Sequence, residues 1–238
     1  MKLGGITIAV LTLAATTVAA GQAPRGGKAA KAKAGPAARG GANPNRARLS
    51  TPSQLTEKTP DTFKARFDTS AGPFVIEVHR DWSPLGADRF YNLVKNGFYD
   101  DSRFFRVLEG FMAQIGMNGD PNIQRVWGGA DFRDDPVKES NTRGYVSFAK
   151  SSAPDSRSTQ FFINFGDNSG LDAQGFSPFG QVVSGMEVVD KLYSGYGRTN
   201  VPDQGRITEE GNVYLLKEYP KLDYVRRATI EAVSKAVE

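Results

Sequence analysis

Residues 104–116 read Phe-Phe-Arg-Val-Leu-Glu-Gly-Phe-Met-Ala-Gln-Ile-Gly, and this stretch decides how the rest of the chain is interpreted. It predicts two short strands, 103–107 and 111–115, joined by a turn. One cation, Arg106, and one amide, Gln114, stand among large apolar residues. A purely structural strand pair needs neither polar group, whereas an apolar cleft that binds a small molecule or a peptide needs a few fixed hydrogen-bonding groups.

The segment before this stretch predicts a β-hairpin followed by a helix. Apolar residues alternate with polar ones over 63–68 and again over 74–78, and a Ser-Ala-Gly-Pro turn separates the two runs. Ser83 and Pro84 then fit a helix N-cap followed by proline at the first helical position. An apolar stripe with helical spacing comes next, and Gly97 is expected to end that helix.

The segment after it predicts further short strands separated by long loops. Loops are expected at 116–143, 150–159 and 165–178 because these residues are rich in Gly, Asp, Asn, Ser and Pro. Strands are expected at 145–149, 160–164, 179–183 and 225–233, and helices at 186–193 and, with Thr208 as cap, at 208–219. Seven or eight short strands with so few helices favour an antiparallel barrel over an alternating β/α fold.

Composition excludes several classes of function. The chain has no cysteine and a single histidine, His79, which rules out cysteine-based zinc sites and thiol nucleophiles and leaves a serine-histidine-aspartate triad dependent on that one residue. Eight basic residues precede the first acidic one, Glu57, so the remaining 22 basic residues face 26 acidic ones. The body is therefore net −4, without the basic surplus of a nucleic-acid-binding domain.

The N-terminal region predicts an exported protein with a tether. Residues 1–20 combine a positive start, a short apolar core and small residues before a cleavage point, as a signal peptide does; the alternative is an uncleaved anchor. Residues 21–58 are rich in Ala, Gly, Pro and basic residues and are predicted to be a disordered linker. The folded domain is expected over 59–238, with a C-terminal extension from about residue 195.

The residues of the cleft suit a reaction that exchanges no covalent bonds. Side chains two apart on a strand share a face, so Met112 lies with Gln114 and Phe162 lies with Gln160. An apolar floor with a cation and neutral amides around it fits rotation about an Xaa-Pro peptide bond, whose barrier is about 20 kcal/mol. The alternative is that the aromatic residues are ordinary core and that Arg106 is a surface residue paired with a carboxylate.

Three motifs resemble those of the cyclophilins, a family of peptidyl-prolyl cis-trans isomerases. Residues 104–114 resemble the family's Phe-His-Arg-x-x-x-Gly-Phe-Met-x-Gln signature, residues 158–163 its Ser-Gln-Phe-Phe-Ile strand, and residues 179–182 its Phe-Gly-x-Val strand. The resemblance runs from about Phe63 to Tyr193. It implies a mainly β fold, a closed eight-stranded antiparallel β-barrel capped by two α-helices.

The resemblance also implies roles for individual residues. Arg106 matches the catalytic arginine, which is thought to assist the loss of amide resonance. The substrate-binding positions are matched by Phe111, Met112, Gln114, Ala149, Gln160, Phe162, Leu171 and Phe176. No cofactor and no metal are implied. Where many members have tryptophan, histidine and asparagine, this chain has Gly170, Phe176 and Lys150. The first two of these departures lead us to expect weak binding of cyclosporin.

The expected partners are proline-containing polypeptides that fold outside the cytoplasm, bound by a monomer. No nucleic acid is expected as a partner, and no stable membrane insertion is expected after cleavage of the signal peptide. One alternative is a non-catalytic module that holds proline-containing segments in the same cleft. Another is a binder of nucleic acid or envelope polymer that acts through the basic linker.

Overall fold

The structure, a computed structural model, describes residues 43–231. The predicted signal peptide, residues 21–42 of the predicted linker and the last seven residues lie outside this range. The strands are β1 (Thr62–Thr69), β2 (Pro73–His79), β3 (Arg106–Leu108), β4 (Met112–Ile115), β5 (Tyr145–Phe148), β6 (Phe161–Asn164), β7 (Pro178–Ser184) and β8 (Val225–Ile230). The helices are α1 (Pro84–Lys95), α2 (Pro121–Trp127), α3 (Met186–Val189), α4 (Gln204–Glu210) and α5 (Asn212–Glu218).

The eight strands form one antiparallel sheet in the order β3-β4-β6-β5-β7-β2-β1-β8. Eight antiparallel strands were expected, but the expectation of a closed barrel is wrong, because β3 and β8 remain the two edges. β3 has only three residues, and the chain just before it turns at Asp101, whose φ is 62°. The two edges are linked by the isolated bridge between Arg103 and Tyr224 and by backbone hydrogen bonds of residues 101, 102 and 104 with residues 223 and 225, but not by a ladder between β3 and β8.

The hairpin prediction is confirmed, and its buried face forms the main core. Phe63, Ala65 and Phe67 of β1 point inward, and Phe67 stacks on Phe74 of β2 with ring centroids 5.1 Å apart. Phe90 of α1 packs 6.0 Å from Phe67 between ring centroids. Aromatic pairs of this kind bury large apolar areas and prefer offset or edge contacts, so the hairpin and α1 form one packed unit.

The helix α1 begins at Pro84 as predicted, but its cap is different. The hydroxyl of Ser83 donates to Asp135 rather than accepting from the helix. The Asp135 carboxylate accepts the backbone N–H groups of Leu85 and Gly86, and Arg157 lies 3.1 Å from it. A carboxylate some fifty residues away thus satisfies the first amides of the helix, which no local motif indicates.

The described part of the predicted linker is ordered, so that prediction is wrong for residues 43–58. Short 3-10 turns at Arg46–Ser50 and Pro52–Gln54 bury Leu49 and Leu55. The indole of Trp127 donates to the Leu49 carbonyl at 2.8 Å. Trp127 ends α2, a helix within the predicted 116–143 loop, and its buried ring supplies the apolar surface that the segment alone lacks.

The region after β7 also differs from its prediction. α3 is a single turn, shorter than the predicted 186–193 helix. Two helices, α4 and α5, replace the single one expected at 208–219, because Gly211 between them has a φ of 58°. The side chain of Asp203, not Thr208, caps α4 by accepting from the Arg206 N–H. β8 ends at Ile230, and the last residues of the predicted strand lie outside the described range.

Candidate active site

Strand pairing brings the candidate residues of three strands onto one face. Arg106 of β3 lies directly opposite Gln114 of β4, and Gln114 lies opposite Phe162 of β6. Directly opposite residues in an antiparallel pair project on the same side of the sheet. The arginine, the amide and the aromatic ring that the sequence analysis singled out are therefore neighbours.

Beside them lies a separate apolar cluster, distinct from the main core. Its buried members are Leu108, Met112, Phe162 and Leu171, each with at most 8% of its surface exposed, and Phe111, Ala149 and Phe176 pack against them. The rings of Phe162 and Phe176 meet edge to face with centroids 5.7 Å apart. All the predicted apolar site residues are in this group, and Leu108 is a member that the sequence analysis missed.

The polar groups form a chain of hydrogen bonds along the edge of the apolar cluster. The Arg106 guanidinium donates to Oε1 of Gln114 at 3.1 Å, and Nε2 of Gln114 donates to Oε1 of Gln160 at 2.8 Å. Nε2 of Gln160 then donates to Oε1 of Gln204 at 3.0 Å. We call these four side chains the amide relay. Gln204, from helix α4, was not among the predicted site residues.

Arg106 is half-buried and has no carboxylate within salt-bridge distance among residues 43–231. Burial of its guanidinium lowers the pKa of Arg106, and the positive charge of nearby Arg198 lowers it further. A half-buried cation without a counter-ion keeps its donors free for a ligand. The alternative that Arg106 is a surface residue paired with a carboxylate is not what the structure shows.

One wall of the apolar cluster belongs to a loop, residues 165–178, that is held by buried polar groups. Nδ2 of Asn141 donates to the Phe176 carbonyl at 2.8 Å and to the Asp172 carboxylate at 2.7 Å. Oδ1 of Asn141 accepts from the Ser147 hydroxyl at 2.7 Å. We call these residues the Asn141 network. The sequence analysis missed it, because it lay in a predicted loop with no recognisable motif.

The Asp172 carboxylate is the charged member of the Asn141 network. Partial burial raises the pKa of this carboxyl, but hydrogen bonds from Ser140 and Asn141 lower it by more, so the pKa of Asp172 lies below its ordinary value. Asp172 directly follows Leu171 in the short 3-10 turn Ser169–Gln174. Its ionised form therefore holds the loop against the segment before β5.

The structure describes all three positions, 170, 176 and 150, at which the sequence departs from the family it resembles. A side chain at Gly170 would meet nothing within 4 Å, so the apolar cluster is open at this point. Phe176 occupies the cluster with a ring that donates no hydrogen bond. Lys150 forms a salt bridge with Asp134 at 3.1 Å, and its ammonium lies 5.9 Å from the centroid of the Phe176 ring at the edge of the cluster. The cluster is thus complete around Phe162 and lacks a wall at residue 170.

Gly116, just after β4, permits a close approach that sets the position of Gln160. Its φ is 112°, and a Cβ there would overlap the Thr159 carbonyl and the Cα of Gln160. The hydroxyl of Thr159 donates to the Gly116 carbonyl at 2.7 Å. Only glycine allows this backbone contact, which keeps Gln160 within reach of Gln114.

The arrangement of residues 43–231 does not indicate histidine-based or metal-based catalysis. His79 stacks on Trp82 and lies 3.2 Å from Glu77, away from the relay. Within the described residues, no group of three or more His, Cys, Asp or Glu side chains is placed to hold a metal ion. No helix in that range has the length and apolar character needed to cross a membrane. The candidate site combines an apolar cluster with amide donors and with a cation that has no counter-ion within the described residues.

Comparisons with known proteins agree on one family. The family model described as cyclophilin type peptidyl-prolyl cis-trans isomerase matches residues 64–212. A peptidyl-prolyl cis-trans isomerase of Acinetobacter baylyi is 38% identical over 146 residues, 57% of this chain and 77% of that protein. Peptidyl-prolyl cis-trans isomerase B of Escherichia coli is 34% identical over 139 residues, 53% of this chain and 81% of that protein.

A solved structure supports the fold independently of these sequence matches. A cyclophilin type peptidyl-prolyl cis-trans isomerase of Cryptosporidium parvum superposes with a TM-score of 0.54 at 19% identity, covering 72% of this chain and 99% of that one. At this identity the likeness concerns the fold alone. The eight-stranded antiparallel sheet seen here is therefore shared with a solved member of the family.

Proposed function

The chain belongs to the cyclophilin-type peptidyl-prolyl cis-trans isomerases, and from that premise we propose that Arg106 and the apolar cluster beside it are its active site. The protein is an isomerase that accelerates rotation about Xaa-Pro bonds. The observation that carries the site assignment is the half-buried guanidinium of Arg106, which has no carboxylate partner among residues 43–231, next to an apolar cluster that contains Met112 and Phe162.

The mechanism follows from the energy barrier to rotation about the Xaa-Pro peptide bond. Resonance gives the amide C–N bond partial double-bond character, and the barrier is about 20 kcal/mol. The apolar cluster binds the proline ring, and Arg106 donates a hydrogen bond to the prolyl nitrogen as that atom becomes pyramidal. Such a donor binds the twisted state better than the planar one. Lowering the barrier by about 7 kcal/mol accelerates the rotation roughly 10⁵-fold.

The amide relay supplies the remaining contacts with the substrate. Gln114 and Gln160 each have one Nε2 hydrogen that the relay does not use, since an amide group carries two donors. These hydrogens donate to carbonyl groups next to the proline and fix the peptide while the bond rotates. Ala149 lies at the edge of the cluster, where it contacts the residue before the proline.

A protease-coupled assay on an Ala-Pro peptide tests the site. Arg106→Ala is expected to lower kcat/KM by about 10² or more, the effect typical of removing one preorganised donor. Arg143→Ala is the matched control, because Arg143 is an exposed arginine paired with Asp190 at 2.7 Å and lies outside the relay. Equal activity of the Arg106→Ala enzyme and wild type would show that another group performs the reaction.

The cellular setting is a further part of the proposal. We propose that residues 1–20 are a signal peptide and that the mature enzyme acts on exported proteins in the periplasm or outside the cell. The support is the positive start, short apolar core and small residues at the predicted cleavage point. Mass measurement of the mature N-terminus after expression in a bacterial host tests it, and a mature chain that still begins at Met1 would refute it.

We also propose a monomer that binds cyclosporin weakly. The cation, the amides and the apolar residues that the proposed mechanism needs are all present within residues 106–204, so the site needs no residue from a second subunit. The support for weak cyclosporin binding is the open wall at Gly170 and the lack of a donor on Phe176. Light scattering after size exclusion tests the first statement. Inhibition of the isomerase assay by cyclosporin tests the second, with Gly170→Trp expected to strengthen it.

A further inference from the structure

The C-terminal extension, residues 195–222, forms a second apolar core behind the candidate active site. Two of the buried side chains, Phe105 and Met117, come from just before β3 and just after β4. The extension supplies the others, namely Ile207, Tyr214, Leu215 and Leu222. Phe105 precedes Arg106 directly, so the extension packs against the neighbour of the arginine that faces the cleft.

Close backbone contacts fix the extension in place. A Cβ at Gly211 would overlap the Gly119 carbonyl, and a Cβ at Gly119 would overlap the side-chain amide of Asn212. The Asn212 N–H donates to the Gly119 carbonyl, and its Nδ2 donates to the Asp101 carboxylate, each at 2.9 Å. Such contacts leave little freedom for the helices α4 and α5 to slide against the body of the domain.

Gln204, the first residue of α4, connects the C-terminal extension to the candidate active site. It ends the amide relay by accepting the hydrogen bond of Gln160 at 3.0 Å. An amide can present either its oxygen or its NH₂ group to a neighbour. Gln160 donates to Gln204 through Nε2 only in the orientation in which its Oε1 faces Gln114, so the bond to Gln204 stabilises that orientation, which Arg106, with donors only, also favours from the other end of the relay.

We propose that Gln204 is a positioning residue of the active site, through which the C-terminal extension orients the substrate-binding amides of Gln160 and Gln114. The proposal rests on the function proposed above. With Gln160 held this way, the Oε1 of Gln114 remains directed at Arg106. Both glutamines then keep their free N–H for the substrate carbonyls, and reversal of either amide would place an oxygen there instead.

Replacements of Gln204 are expected to differ in activity according to whether they can accept a hydrogen bond from Gln160. Gln204→Glu keeps an oxygen acceptor for Gln160, whereas Gln204→Lys presents only donors to the Gln160 NH₂ group. Gln204→Ala removes the partner altogether. Because Gln204 is exposed and its side chain makes no apolar contact in the second core, all three variants are expected to fold with the melting temperature of wild type.

The experiment measures kcat and KM for an Ala-Pro peptide in these three variants. Gln204→Ala and Gln204→Lys should lower kcat/KM at least threefold, mainly through KM because the lost orientation serves binding of the planar and twisted peptide alike. Gln204→Glu should stay within twofold of wild type. Glu209→Gln, an exposed residue of α4 outside the relay, is the matched control. A loss below threefold in both Ala and Lys variants overturns the proposal.

A double-mutant cycle tests whether Gln204 acts through Gln160. In a Gln160→Ala background, Gln204→Ala should have no further effect, and a full additional loss would overturn the proposal. Affinity for the same peptide, measured by NMR titration, separates this inference from the proposed function. If wild type binds the peptide without isomerising it, the proposed function is refuted. Weaker binding by Gln204→Ala and Gln204→Lys than by wild type would still support the positioning role in that case. Equal affinities of these variants and wild type would refute the positioning role.

Discussion

The Asn141 network offers the sharpest test of how this fold supports its cleft. Asn141 is fully buried, and its amide joins Asp172, the Phe176 carbonyl and the Ser147 hydroxyl. Asn141→Ala leaves the carbonyl and the hydroxyl buried without partners. Each unsatisfied group costs about 1–3 kcal/mol, and rotation of the hydroxyl recovers part of this, so the expected loss of unfolding free energy is about 3 kcal/mol.

Asn141→Asp has nearly the same volume and is expected to be worse at neutral pH. It places a second carboxylate where Nδ2 now lies, 2.7 Å from the Asp172 oxygen and 2.8 Å from the Phe176 carbonyl. Like charges at this separation raise the pKa of the pair above that of the unfolded chain. The loss should therefore shrink as the pH falls through this raised pKa, because protonation removes the repulsion.

The assay is urea unfolding at pH 7 and pH 5, together with isomerase activity well below the melting temperature. Asn200→Ala is the control, since Asn200 is exposed and donates and accepts no hydrogen bond in the described part of the chain. A change of about 3 kcal/mol corresponds to a melting temperature lower by about 6–12 °C for a domain of this size. Activity should fall about tenfold as the Phe176 wall loosens.

Three results would each refute part of this reasoning. A loss below 1 kcal/mol in Asn141→Ala would mean that water or neighbouring groups replace the amide without cost. A stability loss of Asn141→Asp, relative to wild type, that is larger at pH 5 than at pH 7 would mean that the second carboxylate does not face Asp172. Full activity in an Asn141→Ala enzyme that is clearly destabilised would separate the network from the positioning of Phe176.

Three further predictions follow from the packing and the charges. Leu49→Ala should cost about 3 kcal/mol in urea unfolding, because Leu49 is fully buried in the main core; a cost below about 0.5 kcal/mol, as at surface positions, would restore the linker interpretation. The pKa of Asp172 is depressed, so its stabilisation exists above its unfolded pKa, about 3.9, and is lost as the pH falls through the lower folded value. The stability gap between wild type and Asp172→Asn should accordingly close in acid, and a gap that widens would contradict it. Gly116→Ala should cost about 2 kcal/mol and lower kcat/KM by displacing Gln160, while unchanged activity would show that the contact with Thr159 is adjustable.

The residues of the cleft could be predicted from the sequence because their information is local. The alternation of β1 and β2, the signature around Arg106 and the Phe-Phe pair at 161–162 are each contained in one short segment. The structure brings Arg106, Gln114 and Gln160 together by hydrogen bonds and gathers every predicted apolar site residue into one cluster. Their roles in binding and catalysis remain predictions until the variants above are measured.

The structural features that the sequence did not predict depend on contacts between segments far apart in the chain. The composition of residues 43–58 indicates disorder when they are considered alone, but the buried ring of Trp127, 78 positions beyond Leu49, supplies a surface for them. The cap of α1 comes from Asp135, because a carboxylate at the right place in space replaces the local Ser83. No pattern within either segment carries this information.

The candidate site and the sheet likewise have features that depend on local sequence and features that depend on tertiary contacts. By itself, the sequence determined the strands, the arginine and the apolar residues that belong with it, since side-chain alternation and motif spacing are properties of neighbouring residues. Only the tertiary structure decided that β3 and β8 stay unpaired, that the Asn141 network holds the loop, and that Gln204 completes the amide relay. Hydrogen bonds between residues 31 to 44 positions apart, as in the last two cases, depend on how the chain packs, and that packing is a property of the whole domain.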